Sequence, residues 1–116
     1  MTDSAKVFLF SYGTLQLEAV QLSCFGRLLR GHHDAMPGYR TEMLKIDDSE
    51  TVRLSGKEFH PVVVPTGNPA DEVQGTLFEI TESELLAADR YEVDDYKRVE
   101  AQMKSGRHAW VYVKAA

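Results

Sequence analysis

Two stretches of the chain carry residue types that could do chemistry together. The first lies around Leu85, Ala88, Asp89 and Glu92. With Leu85 facing inward, the others follow at i+3, i+4 and i+7, so Glu92 shares the core-facing side of one helix. A carboxylate turned toward an apolar interior at a helix C-terminus is destabilised in its charged form by desolvation and by the negative end of the helix dipole. Both effects push its pKa upward, as a general acid/base working near neutral pH requires. The second stretch is Tyr12-Gly13-Thr14-Leu15, which follows the apolar run Val7 to Phe10. A strand that passes through a Gly-Thr turn toward a helix start presents unpaired backbone N–H groups, which suit an anion. Gly13 would let a ligand approach the backbone closely, and Thr14 could cap the turn. Each stretch also has a plainer reading: a capped turn after a core strand, and a frayed helix end whose Glu92 points to water.

Other candidate groups are weaker. Asp89, Glu92, Asp94 and Asp95 lack the spacing of a calcium loop, and acidic residues near a helix end are usually solvated. His32-His33-Asp34 offers no third ligand at zinc spacing, and adjacent histidines on an extended chain point apart, so a polar loop is expected there. His60 and His108 stand isolated. Cys24 has no local nucleophile signature and reads as a small core residue. Ser11 lacks a nucleophile-elbow motif, and no glycine-rich phosphate loop occurs. Neither a metal nor a cofactor is expected.

The elements that must position these residues follow from patterning. The 116 residues form one expected domain, 1–116, with the 43% apolar and 27% charged content of an ordinary globular chain. Net charge is −5 with no Lys/Arg block, which argues against nucleic acid or an anionic membrane as partner. No apolar run reaches the roughly 20 residues of a spanning helix, and Met1-Thr2-Asp3-Ser4 is not expected to open a signal peptide. The single cysteine excludes an internal disulfide and fits a reducing, cytoplasmic setting.

Strands are expected at Val7 to Phe10, Tyr39 to Ile46, Thr51 to Leu54, Pro61 to Pro65 and Val73 to Ile80. A hairpin is expected from Val99–Met103 and Ala109–Val113. Gln16 to Leu29 reads as a short helix with Gly26 inside it, Gly31 to Gly38 as a loop, and Asp47-Asp48-Ser49 as a turn. Thr66 to Asp71 is a turn-rich loop. Thr81 and Glu84 have capping-box spacing, so a second helix runs from there to about Glu92. Short connections favour antiparallel pairing. The sum is a mixed, mainly β domain.

Together, Phe10-Ser11-Tyr12-Gly13-Thr14-Leu15, Gly75-Thr76-Leu77-Phe78-Glu79-Ile80, and Leu86 with Asp89-Arg90-Tyr91-Glu92 are more specific than any one alone. With Tyr96, Arg98 and Ala109-Trp110-Val111-Tyr112 they resemble the γ-glutamylcyclotransferase-like family, which includes avirulence-induced plant proteins and γ-glutamylamine cyclotransferases. The likeness runs from residue 7 to residue 113. It implies an α+β fold, a small, mainly antiparallel β-barrel with flanking short helices. It also implies an enzyme that cyclises a small γ-glutamyl compound to 5-oxoproline, without metal or cofactor. By the same resemblance Glu92 would be the general acid/base, the N–H groups of Tyr12, Gly13, Thr14 and Leu15 would hold the glutamyl α-carboxylate, and Tyr96 and Arg98 would belong to the site, although Arg98 fits equally as a structural partner for a carboxylate. Val93-Asp94-Asp95 departs from the family's pattern, where a glycine often follows the glutamate. Two other readings stay open: a non-catalytic module that binds small carboxylates, and an interaction domain using an exposed β edge. Natural substrate and oligomeric state stay open as well.

Overall fold

The strand before the Gly-Thr turn lies in the middle of the molecule. In the computed structural model, which describes residues 6–115, six further strands and three α-helices are arranged around it. β1 (Lys6–Ser11) leads through a 3-10 turn (Thr14–Gln16) into α1 (Glu18–Phe25), and β2 (Gly31–Pro37) and β3 (Tyr39–Lys45) follow. Then come α2 (Ser49–Ser55), β4 (Phe59–Pro65), β5 (Glu72–Thr81), α3 (Glu82–Tyr91), β6 (Tyr96–Gln102) and β7 (His108–Lys114). The main sheet has the order β2-β5-β1-β7-β6, and β3 with β4 forms a separate antiparallel ribbon. Pairing is antiparallel except between β1 and β7, where Leu9 sits opposite Trp110.

Alternation along the strands assigns each side chain to one of two cores. Phe10, Leu77, Val111 and Val113 pack with Met36, Val63 and Met103 on the face covered by the ribbon. Leu9, Phe78, Ile80 and Tyr112 pack with Val20, Leu85 and Ala88 on the face covered by α1 and α3. Both sheet faces are therefore buried, which explains the nearly continuous apolar runs in β1 and β7. Close contact demands glycine at one point of the β1–β5 pairing. A Cβ on Gly75 would lie 2.4 Å from the Ser11 carbonyl oxygen and 2.7 Å from the Phe10 ring.

The sheet is open, so "barrel" describes its curl and not its hydrogen bonding. Its two edges approach at one corner: Lys104 N–H donates to the Ala35 carbonyl, and Ser105 donates to the buried Asp34 carboxylate through both N–H and hydroxyl. No ladder joins β2 to β6.

Three expectations need correction. Gly31 to Gly38 is largely an edge strand, not a loop; His32 and His33 are exposed while Asp34, Ala35 and Met36 are buried. Thr51 to Leu54 belongs to helix α2, not to a strand, and Asp47-Asp48-Ser49 leads into it. The Asp48 carboxylate accepts from Thr51 N–H at the helix start, and Gly56 closes the end at φ 72°. Gly26 does not lie inside α1 but ends it, at φ 70° in the left-handed region, so the helix stops short of Leu29. The capping box that starts α3 is complete, with Thr81 accepting from Glu84 N–H and the Glu84 carboxylate accepting from Thr81 N–H.

Candidate active site

The end of β1 and the end of α3 meet at a narrow cavity of about 320 Å³, counted to its open mouth. Residues Phe10 to Leu15 form one wall, Glu92 and Tyr96 another, Tyr112 of β7 lies at the base, and His60 and Pro61 of the ribbon close the side. Glu92 is the C-cap of α3, with its N–H bonded to the Ala88 carbonyl and its backbone extended at φ −69°, ψ 136°. Leu85 and Ala88 are buried on the same side of the helix, so the phase read from their spacing carries Glu92 to the cavity.

Glu92 keeps some exposure through the mouth, yet protein crowds its carboxyl on nearly every side. Among the described residues it accepts no hydrogen bond and forms no ion pair. Desolvation alone pushes its pKa from 4.5 up to about 8. Its isolation has visible causes. The three tyrosines lining the cavity all donate elsewhere: Tyr12 to the Tyr112 carbonyl, Tyr96 to the Pro61 carbonyl at 2.7 Å, and Tyr112 to Asp89 Oδ1 at 2.6 Å. Burial, helped by negative charge that includes Glu92's, raises the pKa of each of these hydroxyls and keeps them protonated. His60 is buried, its pKa lowered mainly by that burial, so it supplies little positive charge near neutral pH.

The turn opposite has donors to spare. Gln16 N–H returns to the Gly13 carbonyl and Leu17 N–H to the Thr14 carbonyl, which leaves the Thr14 and Leu15 N–H groups at the start of the 3-10 turn. Among the described residues, no N-cap side chain bonds to them. Gly13 N–H lies 3.4 Å from Ser11 Oγ. Thr14 Oγ1 is hydrogen-bonded to the Tyr91 hydroxyl at 2.8 Å, which ties the turn to the last residue of α3 beside Glu92. Gly13 runs close beneath Pro61, where a Cβ would come within 3.3 Å of the proline Cγ.

Tyr12, Gly13, Thr14, Leu15, Tyr96 and Glu92 thus share one cavity, but Arg98 does not line it. Its guanidinium makes a two-pronged contact with Asp89, at 2.8 and 3.0 Å, and stacks 4.5 Å over the Trp110 ring. Burial would raise the Asp89 pKa, but the bonds from Arg98 and Tyr112 outweigh it and hold the carboxyl below its ordinary value. Asp94 and Asp95 are exposed in the turn after α3 and take no part in the cavity wall. His60, Pro61 and Tyr112 were not singled out from the sequence. His60 and Pro61 reach the site only through tertiary packing of the ribbon, a contact no local pattern reports, whereas Tyr112 stood in a recognised stretch without a role.

A half-buried carboxyl that shares its cavity with the backbone donors of the Gly-Thr turn marks the candidate site of this small α+β protein. Residues 9–116 match the sequence model of the family described as Gamma-glutamyl cyclotransferase, AIG2-like, and the chain belongs to that family. Solved structures share the fold at low identity. Protein At3g28950.1 of Arabidopsis thaliana is 20% identical with a TM-score of 0.71, over 98% of this chain and 65% of its own. The chain thus spans about two thirds of that protein's length. The human protein loc79017 is 16% identical, with a TM-score of 0.72 over 96% of this chain and 68% of its own. A structure named gamma-glutamyl cyclotransferase is 13% identical, with a TM-score of 0.67 over 96% and 68%. No curated protein matches the sequence. Among the described residues, no helix is long and apolar enough to cross a membrane.

Proposed function

We propose that the protein is a cyclotransferase acting on a small γ-glutamyl compound, with Glu92 as general acid/base. The observation that carries this reading is the Glu92 carboxyl, half-buried in the cavity without a partner among the described residues, its pKa raised by desolvation to about 8. At pH 7 such a group holds its proton most of the time and releases it readily, so it can serve both halves of a proton transfer. A substrate ammonium would supply the charge that the protein withholds from it.

The substrate's α-carboxylate would lie on the free N–H groups of Thr14 and Leu15, which leaves its α-nitrogen facing Glu92. The α-amine then attacks the γ-carbonyl of its own molecule. A bond forms between the α-nitrogen and the γ-carbon, the bond from that carbon to the departing nitrogen breaks, and 5-oxoproline results. Two protons leave the attacking nitrogen and two reach the departing one. Glu92 would carry them in turn. Holding the glutamyl chain folded converts binding into proximity, since both reacting groups belong to one molecule. Tyr12 and Tyr96 would form walls around the glutamyl head.

The test is release of 5-oxoproline from a panel of γ-glutamyl amines, γ-glutamyl dipeptides and glutathione, by wild type and by Glu92→Gln. Release by wild type, with a loss of at least a hundredfold in the variant, is expected. A folded protein that retains a γ-glutamyl ligand without turning it over would instead be a binding module.

A further inference from the structure

The cavity at Glu92 is narrow, so the departing half of any substrate must lie outside it. A second, wider groove of about 530 Å³, counted to its mouth, shares Tyr12, Gly13, Thr14 and Pro61 with the cavity. Its far side is formed by Met43, Lys57 and Phe59, contributed by the ribbon and the end of the α2–β4 connection. Met43 and Phe59 are 65% and 53% exposed, among the most exposed large apolar side chains in the protein. They lie on paired strands, with Met43 opposite Pro61 and Lys45 opposite Phe59. The Lys57 backbone is fixed by Ser55, whose hydroxyl is 3.2 Å from Lys57 N and 3.3 Å from its carbonyl oxygen. Among the described residues the Lys57 ammonium makes no ion pair.

Two unpartnered apolar side chains beside one unpaired cation, at the lip of the cavity, form a surface with a chemical preference. We infer that this groove receives the departing half of the γ-glutamyl substrate, and that this half is an α-amino acid with an apolar side chain and a free carboxylate; the inference rests on the cyclotransferase reading above. The scissile carbonyl lies beside Glu92, the chain crosses the Gly13–Pro61 lip, the apolar side chain covers Met43 and Phe59, and the carboxylate meets Lys57. Gly13 keeps the lip low.

Three substrates separate the parts: γ-glutamyl-leucine, γ-glutamylglycine without the apolar side chain, and γ-glutamyl-isoamylamine without the carboxylate. Wild type should prefer the leucine compound by about tenfold in kcat/KM over each of the others, within the range one apolar or charged contact provides. Lys57→Met should bring the leucine-to-isoamylamine ratio toward one, and Phe59→Ser or Met43→Ser the leucine-to-glycine ratio, with the change falling in KM. All three positions are exposed, so the variants should fold. Equal turnover of the three compounds by wild type overturns the groove assignment and leaves the cyclotransferase reading intact. If none is turned over, calorimetric binding of the same compounds to the wild type decides. A preference for the leucine compound that Phe59→Ser removes upholds the groove while the reaction falls. Equal or absent binding removes the groove too.

Discussion

Replacing Glu92 by Gln should stabilise the protein while it abolishes turnover, and the gain should grow with pH. The Glu92 carboxyl titrates near 4.5 in an unfolded chain and about 8 in the folded one. The folded state therefore holds this proton more tightly. Its favourable contribution is complete below the unfolded value and is lost as pH rises through the folded one. At 1.36 kcal/mol per decade, that loss approaches about 5 kcal/mol once both states are ionised, and about 3 kcal/mol at pH 7. Water at the open mouth screens the carboxyl, so a measured gain of roughly 2 kcal/mol for Glu92→Gln at pH 8.5 is the reasonable expectation, with almost none at pH 4.5. Urea unfolding of both proteins at pH 4.5, 7 and 8.5 measures it. His60 and the other titrating groups are common to both proteins, so the difference isolates Glu92. A difference that stays flat across that range would mean that the carboxyl is solvated and the site misread. On the catalytic side, the variant should lose about a hundredfold to ten-thousandfold in kcat. Turnover within tenfold of wild type would remove Glu92 from the mechanism.

Other perturbations test neighbouring parts of the same construction. The kcat/KM of wild type should rise with pH through about 8, as the free enzyme's Glu92 becomes able to accept a proton; a flat profile from pH 6 to 9 would argue against it. Tyr91→Phe removes the 2.8 Å bond that holds Thr14, so it should cost about 1 kcal/mol in urea unfolding and raise KM more than it lowers kcat. Gly75→Ala drives a methyl into the Ser11 carbonyl and the Phe10 ring, and should cost more than about 2 kcal/mol by thermal unfolding. Arg98→Met leaves the Asp89 carboxylate with Tyr112 alone and should destabilise by about 1 to 2 kcal/mol at pH 7. Asp89 has a lowered folded pKa, so its contribution is present above the unfolded value and the Arg98→Met penalty should shrink as pH falls through the folded one; turnover should fall less than stability.

What the sequence reveals here depends on the range of the interaction. The β1 strand, the Gly-Thr turn and the capping box of α3 are local signals, and all three features stand where their residues place them. Helix phase is local too, which is why Leu85 and Ala88 were enough to turn Glu92 toward the interior. β2 escaped detection because its first half, Gly31-His32-His33, is a polar strand edge and its buried second half begins with Asp34, whose partner Ser105 is far along the chain. α2 escaped because Thr51 and Val52 favour strands, while the signals that decide it, Asp48 at the start and Gly56 at the end, lie outside the apolar run. The ribbon's share of the site was invisible for a third reason. His60 and Pro61 reach Glu92 only after β4 folds over the sheet.

The contrast between Asp89 and Glu92 ties fold to chemistry more closely than either residue does alone. They sit three residues apart at the end of one helix, and desolvation acts on both, far more strongly on the deeper Glu92. Asp89 meets Arg98 and Tyr112, and its proton is given up readily. Glu92 meets three tyrosines whose hydroxyls are already committed and a neutral, buried His60. Arg98 is central to this difference although it lies outside the cavity. Held by Asp89 and stacked on Trp110, it cannot neutralise Glu92. A cation free to reach the cavity would lower the Glu92 pKa and weaken it as an acid, and it would also compete with a substrate ammonium. On the proposed reading, Asp89 would act by holding Arg98 away from the cavity. Asp89→Asn tests this: loosening Arg98 should move the kcat/KM profile to lower pH. A purely structural role would lower stability and leave that profile in place.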